Sequence, residues 1–255
     1  KTALARLESN LQELYPLPLG GTAVGTGLNT PKNFDNLIAL DIARKTNLPF
    51  ESAVNKFAIM ASHDGLVNIM SQLKLLAVSL LKIVNDLRLL SCGPRAGLSE
   101  LQLPANEPGS SIMPGKINPT QCEAMAMVCT QIIGMDTSVS IAGSGGHLQM
   151  NVYKPLIGYN ILKSINLIQN ACKSCREHMI EEIQPNKEKI KEFLDNSLML
   201  VTAIAPSIGY EKASKIAQLA HKKNLSLKQA SKELNYIDQE EFDNLTNPKT
   251  MIGEN

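Results

Sequence analysis

The sequence predicts an all-α protein: a bundle of long helices with a small helical domain at its C-terminal end. Apolar residues recur at three- and four-residue spacing over long stretches, and glycine or proline ends those stretches. Segments with the two-residue alternation of β-strands are scarce. The chain has 255 residues, 44% of them hydrophobic, which is enough to bury a sizeable core.

Three of the predicted helices are long. Their apolar residues cover much of the circumference, so other helices must pack around them, and subunit contacts are expected to be part of that packing. The predicted ranges are Leu66–Leu90, Pro119–Ala142 and Gln149–Ile183.

Shorter helices are predicted after Pro185. Ser226 with Gln229, and Asp238 with Glu241, have the spacing of capping boxes. We therefore expect a helical-bundle domain over 1–200 and a small C-terminal domain over 201–255. The shorter predicted units are Asn186–Val201, Tyr210–Lys222, Ser226–Leu234 and Gln239–Leu245.

The first residues of the chain already repeat at helical spacing. The chain begins with Lys1, and Ala3, Leu4 and Leu7 follow with no capping residue before them. We expect that the sequence starts inside a helix and lacks an N-terminal part, which leaves a targeting segment upstream open.

Charge and cysteine content exclude several classes of partner. The net charge of +1 argues against a nucleic-acid or membrane partner, and no uninterrupted apolar run is expected to span a bilayer. The five cysteines are odd in number and scattered through helical patterns, which indicates reduced thiols. Cys172 and Cys175 form a C-x-x-C pair near His178, but no second pair completes a zinc site, so no metal is expected.

The segment from Cys92 to Asn118 is rich in glycine and proline and is too long for an ordinary connection between helices. Asn118 is predicted to cap the following helix, with Pro119 as its first residue and Gln121 as the returning half of a capping box. Lys116 and the helix start then favour binding of a carboxylate or phosphate.

The run from Gly109 to Ala124, GSSIMPGKINPTQCEA, resembles the signature of the fumarase/aspartase superfamily of lyases, and within it that of class II fumarate hydratases. The Thr120–Glu123 run is similar to fumarases, whereas aspartases typically continue differently. Further stretches resemble the family in the same order along the chain: Gly20–Asn29, Glu107–Pro108, Asn151–Pro155, Ser197–Thr202 and Ile208–Tyr210.

This resemblance implies the C-terminal two-thirds of an enzyme that reversibly hydrates fumarate to (S)-malate in the tricarboxylic acid cycle through an aci-carboxylate intermediate. It implies a small dicarboxylate substrate, no cofactor, and a homotetramer with composite active sites. It also implies a cytoplasmic location, or the mitochondrial matrix in a eukaryote.

The resemblance also assigns roles to residues. Ser110 matches the catalytic base, and Glu123 matches the glutamate that pairs with a histidine to activate water. Ser111, Lys116 and Asn118 match substrate-binding residues. The family's histidine lies before the start of this chain, so we expect the chain to be inactive alone. The histidines present, expected to be structural or on the surface, are His63, His147, His178 and His221.

Other readings stay open. The chain could be an aspartase or another lyase of the superfamily, or a non-catalytic scaffold that retains the fold. A nucleophilic role for Ser110 has no Gly-x-Ser-x-Gly or Ser-His-Asp pattern behind it. The Gly20–Gly27 run lacks the ending of a nucleotide-binding loop and is interpreted as a tight helix break that shapes the substrate pocket.

Overall fold

The structure is a computed structural model that describes residues 1–252, and it confirms the all-α fold. The chain divides into two compact units. The first comprises Lys1–Gly97 and Leu103–Gln184, and the second comprises Leu98–Gln102 and the chain from Pro185 onward. The predicted domain boundary between residues 200 and 201 falls inside the second unit and stays a prediction.

The first unit consists of helices joined by short irregular segments. Strands β1 (Pro16–Leu17) and β2 (Glu51–Ser52) form a parallel pair, and the turn Leu11–Leu14 is a 3₁₀ helix. The helices are α1 (Thr2–Asn10), α2 (Phe34–Thr46), α3 (Lys56–Ala61), α4 (Asp64–Leu90), α5 (Thr120–Gly143) and α6 (Lys154–Cys175), the last continuing into a π-helical turn over Arg176–Ile180.

Helices α4, α5 and α6 form the core of this unit and run antiparallel to their sequence neighbours. Lys74 on α4 binds Asp136 on α5, and the end of α4 meets the start of α5. The start of α5 also meets the end of α6, where Ser174 donates to Gln121. The most deeply buried apolar side chains of this core include Met70, Met125, Ile132, Val139, Ile157 and Met179.

The predicted α4 and α5 are confirmed, but the third helix begins five residues later than predicted, at Lys154. A short bridge between His147 and Met150 precedes it. The buried Asn151 side chain donates to the Ala142 carbonyl at the end of α5 and accepts from the Tyr153 N–H at the start of α6. These bonds turn the chain between the two helices, which helical spacing alone does not reveal.

His63 precedes α4 and is buried, as expected of a structural histidine. Its Nε2 lies 3.3 Å from the Asn151 carbonyl oxygen, which also accepts from Lys154 Nζ at 2.9 Å. Burial, with a smaller contribution from the Lys154 charge, lowers the pKa of His63. The neutral imidazole is thus part of the junction that Asn151 forms.

Large apolar side chains remain exposed on the three long helices. A Cβ built at Gly134 in α5, or at Gly158 in α6, meets no atom within 4 Å. By length and composition alone, α4 and α5 could also cross a membrane, although neither is an uninterrupted apolar run. The exposed apolar residues include Leu75, Val78, Ile83 and Leu89 of α4, Met127 and Ile141 of α5, and Leu156, Tyr159, Leu162 and Ile165 of α6.

The second unit is built from short helices around Ile204, Ile216 and Phe242. The capping box of Ser226 and Gln229 is confirmed, and Asp238 caps its helix by accepting from the N–H groups of Glu240 and Glu241. The helices are α7 (Lys187–Asn196), α8 (Val201–Ile208), α9 (Tyr210–Lys223), α10 (Leu227–Leu234) and α11 (Gln239–Leu245), with 3₁₀ turns at Leu198–Leu200 and Pro248–Thr250.

The predicted helix over Asn186–Val201 is wrong over its last five residues. Helix α7 ends at Asn196, because Ser197 adopts an extended backbone and its hydroxyl accepts from the Met199 N–H to start the 3₁₀ turn. Two further strands, β3 (Leu101–Gln102) and β4 (Gln184–Pro185), pair with each other.

Candidate active site

The signature loop before α5 closes on itself. The Gly109 N–H donates to the Lys116 carbonyl at 3.0 Å, and the Asn118 side-chain amide donates to the Gly109 carbonyl at 2.6 Å. A Cβ at Gly109 would overlap the Lys116 carbonyl group, so only glycine allows this closure. The closure places Ser110, Lys116 and Asn118 in one compact loop.

Within this loop the hydroxyl of Ser110 is surrounded by backbone donors. Its Oγ accepts from the N–H of Ile112 at 3.2 Å and from the N–H of Met113 at 3.1 Å. The serine is half-buried, whereas its neighbour Ser111 is exposed. Two N–H groups directed at one oxygen stabilise negative charge there, so the geometry favours an alkoxide at Ser110 over one at Ser111.

Lys116 supplies the positive charge of the loop. It is exposed, and within residues 1–252 its ammonium group has no ion-pair partner. Helix α5 starts at Thr120, four residues further on, and its first N–H groups have no side-chain cap. An unpaired ammonium group and the positive end of a 24-residue helix both favour an anion at this place.

The predicted capping box at the start of α5 is wrong. Pro119 precedes the helix with a non-helical backbone, φ −80° and ψ 54°, and no side chain caps the helix. The Asn118 amide binds Gly109, and the Gln121 side chain accepts from Ser174 at 2.9 Å. Loop closure and packing against α6 therefore use the two side chains that the local pattern assigned to capping.

Glu123 lies in the first turn of α5 and is bound to an arginine. Its Oε1 accepts from Arg88 Nη2 at 3.1 Å. The predicted partner was a histidine outside this chain, and none of the described histidines contacts Glu123. Arg88 was not predicted, because 35 residues separate it from Glu123 and no local pattern connects them.

Two cavities lie along α5, and neither encloses these residues together. A cavity of about 10 Å³ beside Asn118 and Pro119 has room for about one water molecule, which excludes a dicarboxylate. A groove of about 370 Å³ lies along α5 between Ala126 and Gly134 and touches none of the predicted site residues. Neither of these two cavities therefore accommodates a dicarboxylate against the predicted site residues.

Four of the five cysteines are unreactive as thiols because they are buried or half-buried. Burial raises the pKa of the Cys122 and Cys129 thiols to about 11, and it also raises the pKa of Cys172 and Cys175. Among residues 1–252, no three histidine, cysteine or acidic side chains cluster closely enough to hold a metal ion.

The glycine-rich segment Gly20–Gly27 is a series of turns between β1 and α2, not a break within a helix. Gly20 has φ +85°, and a Cβ there would lie 2.5 Å from that of Asp35. The Asp35 carboxylate accepts from Lys56 Nζ at 2.7 Å and from the Ser52 hydroxyl at 2.9 Å. These bonds lower the pKa of Asp35 to about 2 and join α2 to β2 and α3. Its role in shaping the substrate pocket stays a prediction.

Comparison with known proteins identifies the family. The family model described as Lyase matches residues 1–134, and the one described as Fumarase C C-terminus matches residues 200–253. The chain belongs to the class II fumarase family of lyases. A class II fumarate hydratase of Prochlorococcus marinus strain SARG is 69% identical over 248 residues, which are 97% of this chain and 53% of that protein.

Further relatives agree with this assignment. A second Prochlorococcus marinus class II fumarate hydratase, from strain MIT 9313, is 64% identical over 99% of this chain and 54% of its own length. The crystal structure of recombinant class II fumarase from Schistosoma mansoni superposes with a TM-score of 0.95 at 42% identity and covers 98% of this chain and 55% of that chain. The chain thus spans about half the length of its relatives, less than the predicted two-thirds.

Proposed function

We propose that the full-length class II fumarase to which this chain corresponds interconverts fumarate and (S)-malate. The observation that carries the proposal is the closed loop before α5, in which two backbone N–H groups bind Ser110 Oγ and Lys116 has no ion-pair partner among the described residues. The substrate is then a small dicarboxylate, and the reaction needs no cofactor.

In dehydration, the Ser110 alkoxide removes the proton from the carbon next to one carboxylate of malate. The electron pair moves into that carboxylate and forms an aci-carboxylate dianion, which Lys116, Asn118 and the N–H groups at the start of α5 stabilise. Hydroxide then leaves the neighbouring carbon and takes a proton from a histidine paired with Glu123, which yields fumarate and water. Ser111 contributes a contact to the bound substrate. Hydration follows the same steps in reverse.

We further propose that the active enzyme is a homotetramer whose sites combine residues of several subunits. The support is the large apolar surface of α4, α5 and α6 and the open position of the predicted site residues. The histidine that completes the site is then supplied outside this chain, and the chain alone is inactive. The proposed location is the cytoplasm, or the mitochondrial matrix in a eukaryote.

The test is Ser110→Ala in the full-length protein. Loss of the base should lower fumarate hydration and malate dehydration together by about 10²–10⁴-fold, because both directions share one transition state. Light scattering should still show four subunits, and binding of a competitive dicarboxylate should be nearly unchanged.

Two control variants interpret this result. Ser9→Ala removes an exposed hydroxyl on α1 that donates to the Arg6 carbonyl and accepts from the neighbouring Asn10 amide, and it should leave turnover unchanged. If Ser111→Ala abolishes turnover while Ser110→Ala does not, the roles of the two serines are reversed. If neither serine matters, the loop does not carry the proton transfer.

A further inference from the structure

The contact between Arg88 and Glu123 joins the two ends of the signature segment. Arg88 lies in the last turn of α4, and Glu123 lies in the first turn of α5. Arg88 Nη2 is 3.1 Å from Glu123 Oε1, and the two side chains are 55% and 39% exposed. The entire loop that carries Ser110, Lys116 and Asn118 begins after one partner and ends before the other.

Stability alone does not account for this contact. Ion pairs between side chains as exposed as these contribute little to the free energy of unfolding. A positive charge at the end of α4 is favourable for the helix dipole, but any basic side chain in any orientation provides it. A guanidinium group differs because its planar N–H donors have fixed directions, so it orients the carboxylate that it binds.

Only one oxygen of the Glu123 carboxylate is occupied. Oε1 binds Arg88, and Oε2 makes no hydrogen bond within residues 1–252. A carboxylate fixed through one oxygen presents the other in a defined direction. A carboxylate held in this way can accept a hydrogen bond from an imidazole N–H in a fixed direction. That bond sets the tautomer and the orientation of the ring.

We infer that Arg88 is a positioning residue that holds Glu123 by Oε1 so that Oε2 meets the water-activating histidine supplied from outside this chain. This inference rests on the proposed function. It adds that Arg88 acts only through Glu123 and touches neither the substrate nor the reacting water.

The test is a double-mutant cycle in the full-length tetramer with Arg88→Met, Glu123→Gln and the two combined. Arg88→Met keeps the aliphatic stem and removes the donors, so kcat should fall about tenfold in both directions, since small errors in orientation are costly in catalysis. The KM for malate should change less than twofold. In the Glu123→Gln background, Arg88→Met should have no further effect on kcat, because the group that it orients is already disabled.

Matched variants separate orientation from charge and from folding. Lys82→Met disrupts another exposed ion pair of α4, with Asp86, and should leave kcat unchanged. Arg88→Lys keeps the charge at the helix end but loses the fixed donor geometry, so it should recover only part of the lost kcat. If Arg88→Met does not form tetramers, Arg88→Lys decides the question: wild-type kcat in that variant overturns the inference.

The remaining outcomes distinguish this inference from the proposed function. An equal loss of kcat from Arg88→Met in both backgrounds shows that Arg88 acts independently of Glu123, which overturns the positioning role and leaves the function intact. Wild-type kcat in Glu123→Gln removes the proposed role of Glu123, and the positioning role with it. Absence of fumarate hydration by the wild-type tetramer overturns the function itself.

Discussion

Asn151 joins the end of α5 to the start of α6, so its removal should destabilise the long-helix core. Its side chain donates to the carbonyls of Ala142 and Gly143 at 2.9 and 3.3 Å and accepts from the Tyr153 N–H at 2.9 Å. Asn151→Ala removes all three bonds, although the Ala142 carbonyl still accepts from the Gly145 N–H at 3.2 Å. A buried polar group without a partner costs about 1–3 kcal/mol, so the free energy of unfolding should fall by about that amount.

The measurement is urea unfolding of the full-length protein at one fixed protein concentration. Asn196→Ala is the matched control: this exposed amide donates only to the Glu192 carbonyl, and its loss should cost less than about 1 kcal/mol. Asn151→Asp keeps the acceptor for Tyr153 but turns an oxygen toward the Ala142 carbonyl, so it should destabilise at least as much as alanine. A loss below about 1 kcal/mol for Asn151→Ala, or a wild-type midpoint for Asn151→Asp, would refute the reasoning.

Two further predictions concern charged residues. Lys116→Met in the full-length protein should lower kcat/KM for malate at least about tenfold, because one charge-assisted contact to the dianionic substrate and intermediate is lost. Steady-state assays in both directions measure this ratio. An unchanged kcat/KM removes Lys116 from the site. Asp35 has its pKa lowered to about 2 by Lys56 and Ser52, so its ion pair stabilises the fold above the unfolded-state pKa near 4 and ceases to do so as pH falls through about 2. The difference in urea midpoint between wild type and Asp35→Asn should therefore be constant above pH 4 and shrink toward pH 2, and a difference that persists below pH 2 contradicts this assignment.

The long helices could be predicted because their own residues determine them. Apolar spacing in α4 and α5 repeats over many turns, and glycine or proline lies near their ends. The start of α6 could not be predicted from spacing, since the helix register of Gln149 to Tyr153 is overridden by the bonds of Asn151 to the end of α5. Local periodicity contains no information about such tertiary contacts.

The same limit applies to the candidate site. The residue types of the loop and its resemblance to a family signature led to the predicted site residues, which stay a prediction, and the structure adds the donors around Ser110 and the closure at Gly109. Asn118 fits an N-cap pattern, but its side-chain amide donates to the carbonyl of Gly109, nine residues earlier. Arg88 carries no local signal, because its significance lies entirely in where α4 and α5 bring it.

Gly134 and Gly158, the two open glycines of the long helices, lower the stability of the free protomer, and association at higher protein concentration can offset that loss. A glycine inside a helix is about 0.5–1 kcal/mol less favourable than alanine, and neither Gly134 nor Gly158 meets an atom of its own chain that would require the missing Cβ. In a dilute protomer this cost has no compensation. In the proposed tetramer, a backbone of another subunit next to these glycines could approach closely, and measured stability should then rise with protein concentration by mass action. Assembly would then be a late stage of folding for this protein, and the free protomer a partly stabilised intermediate.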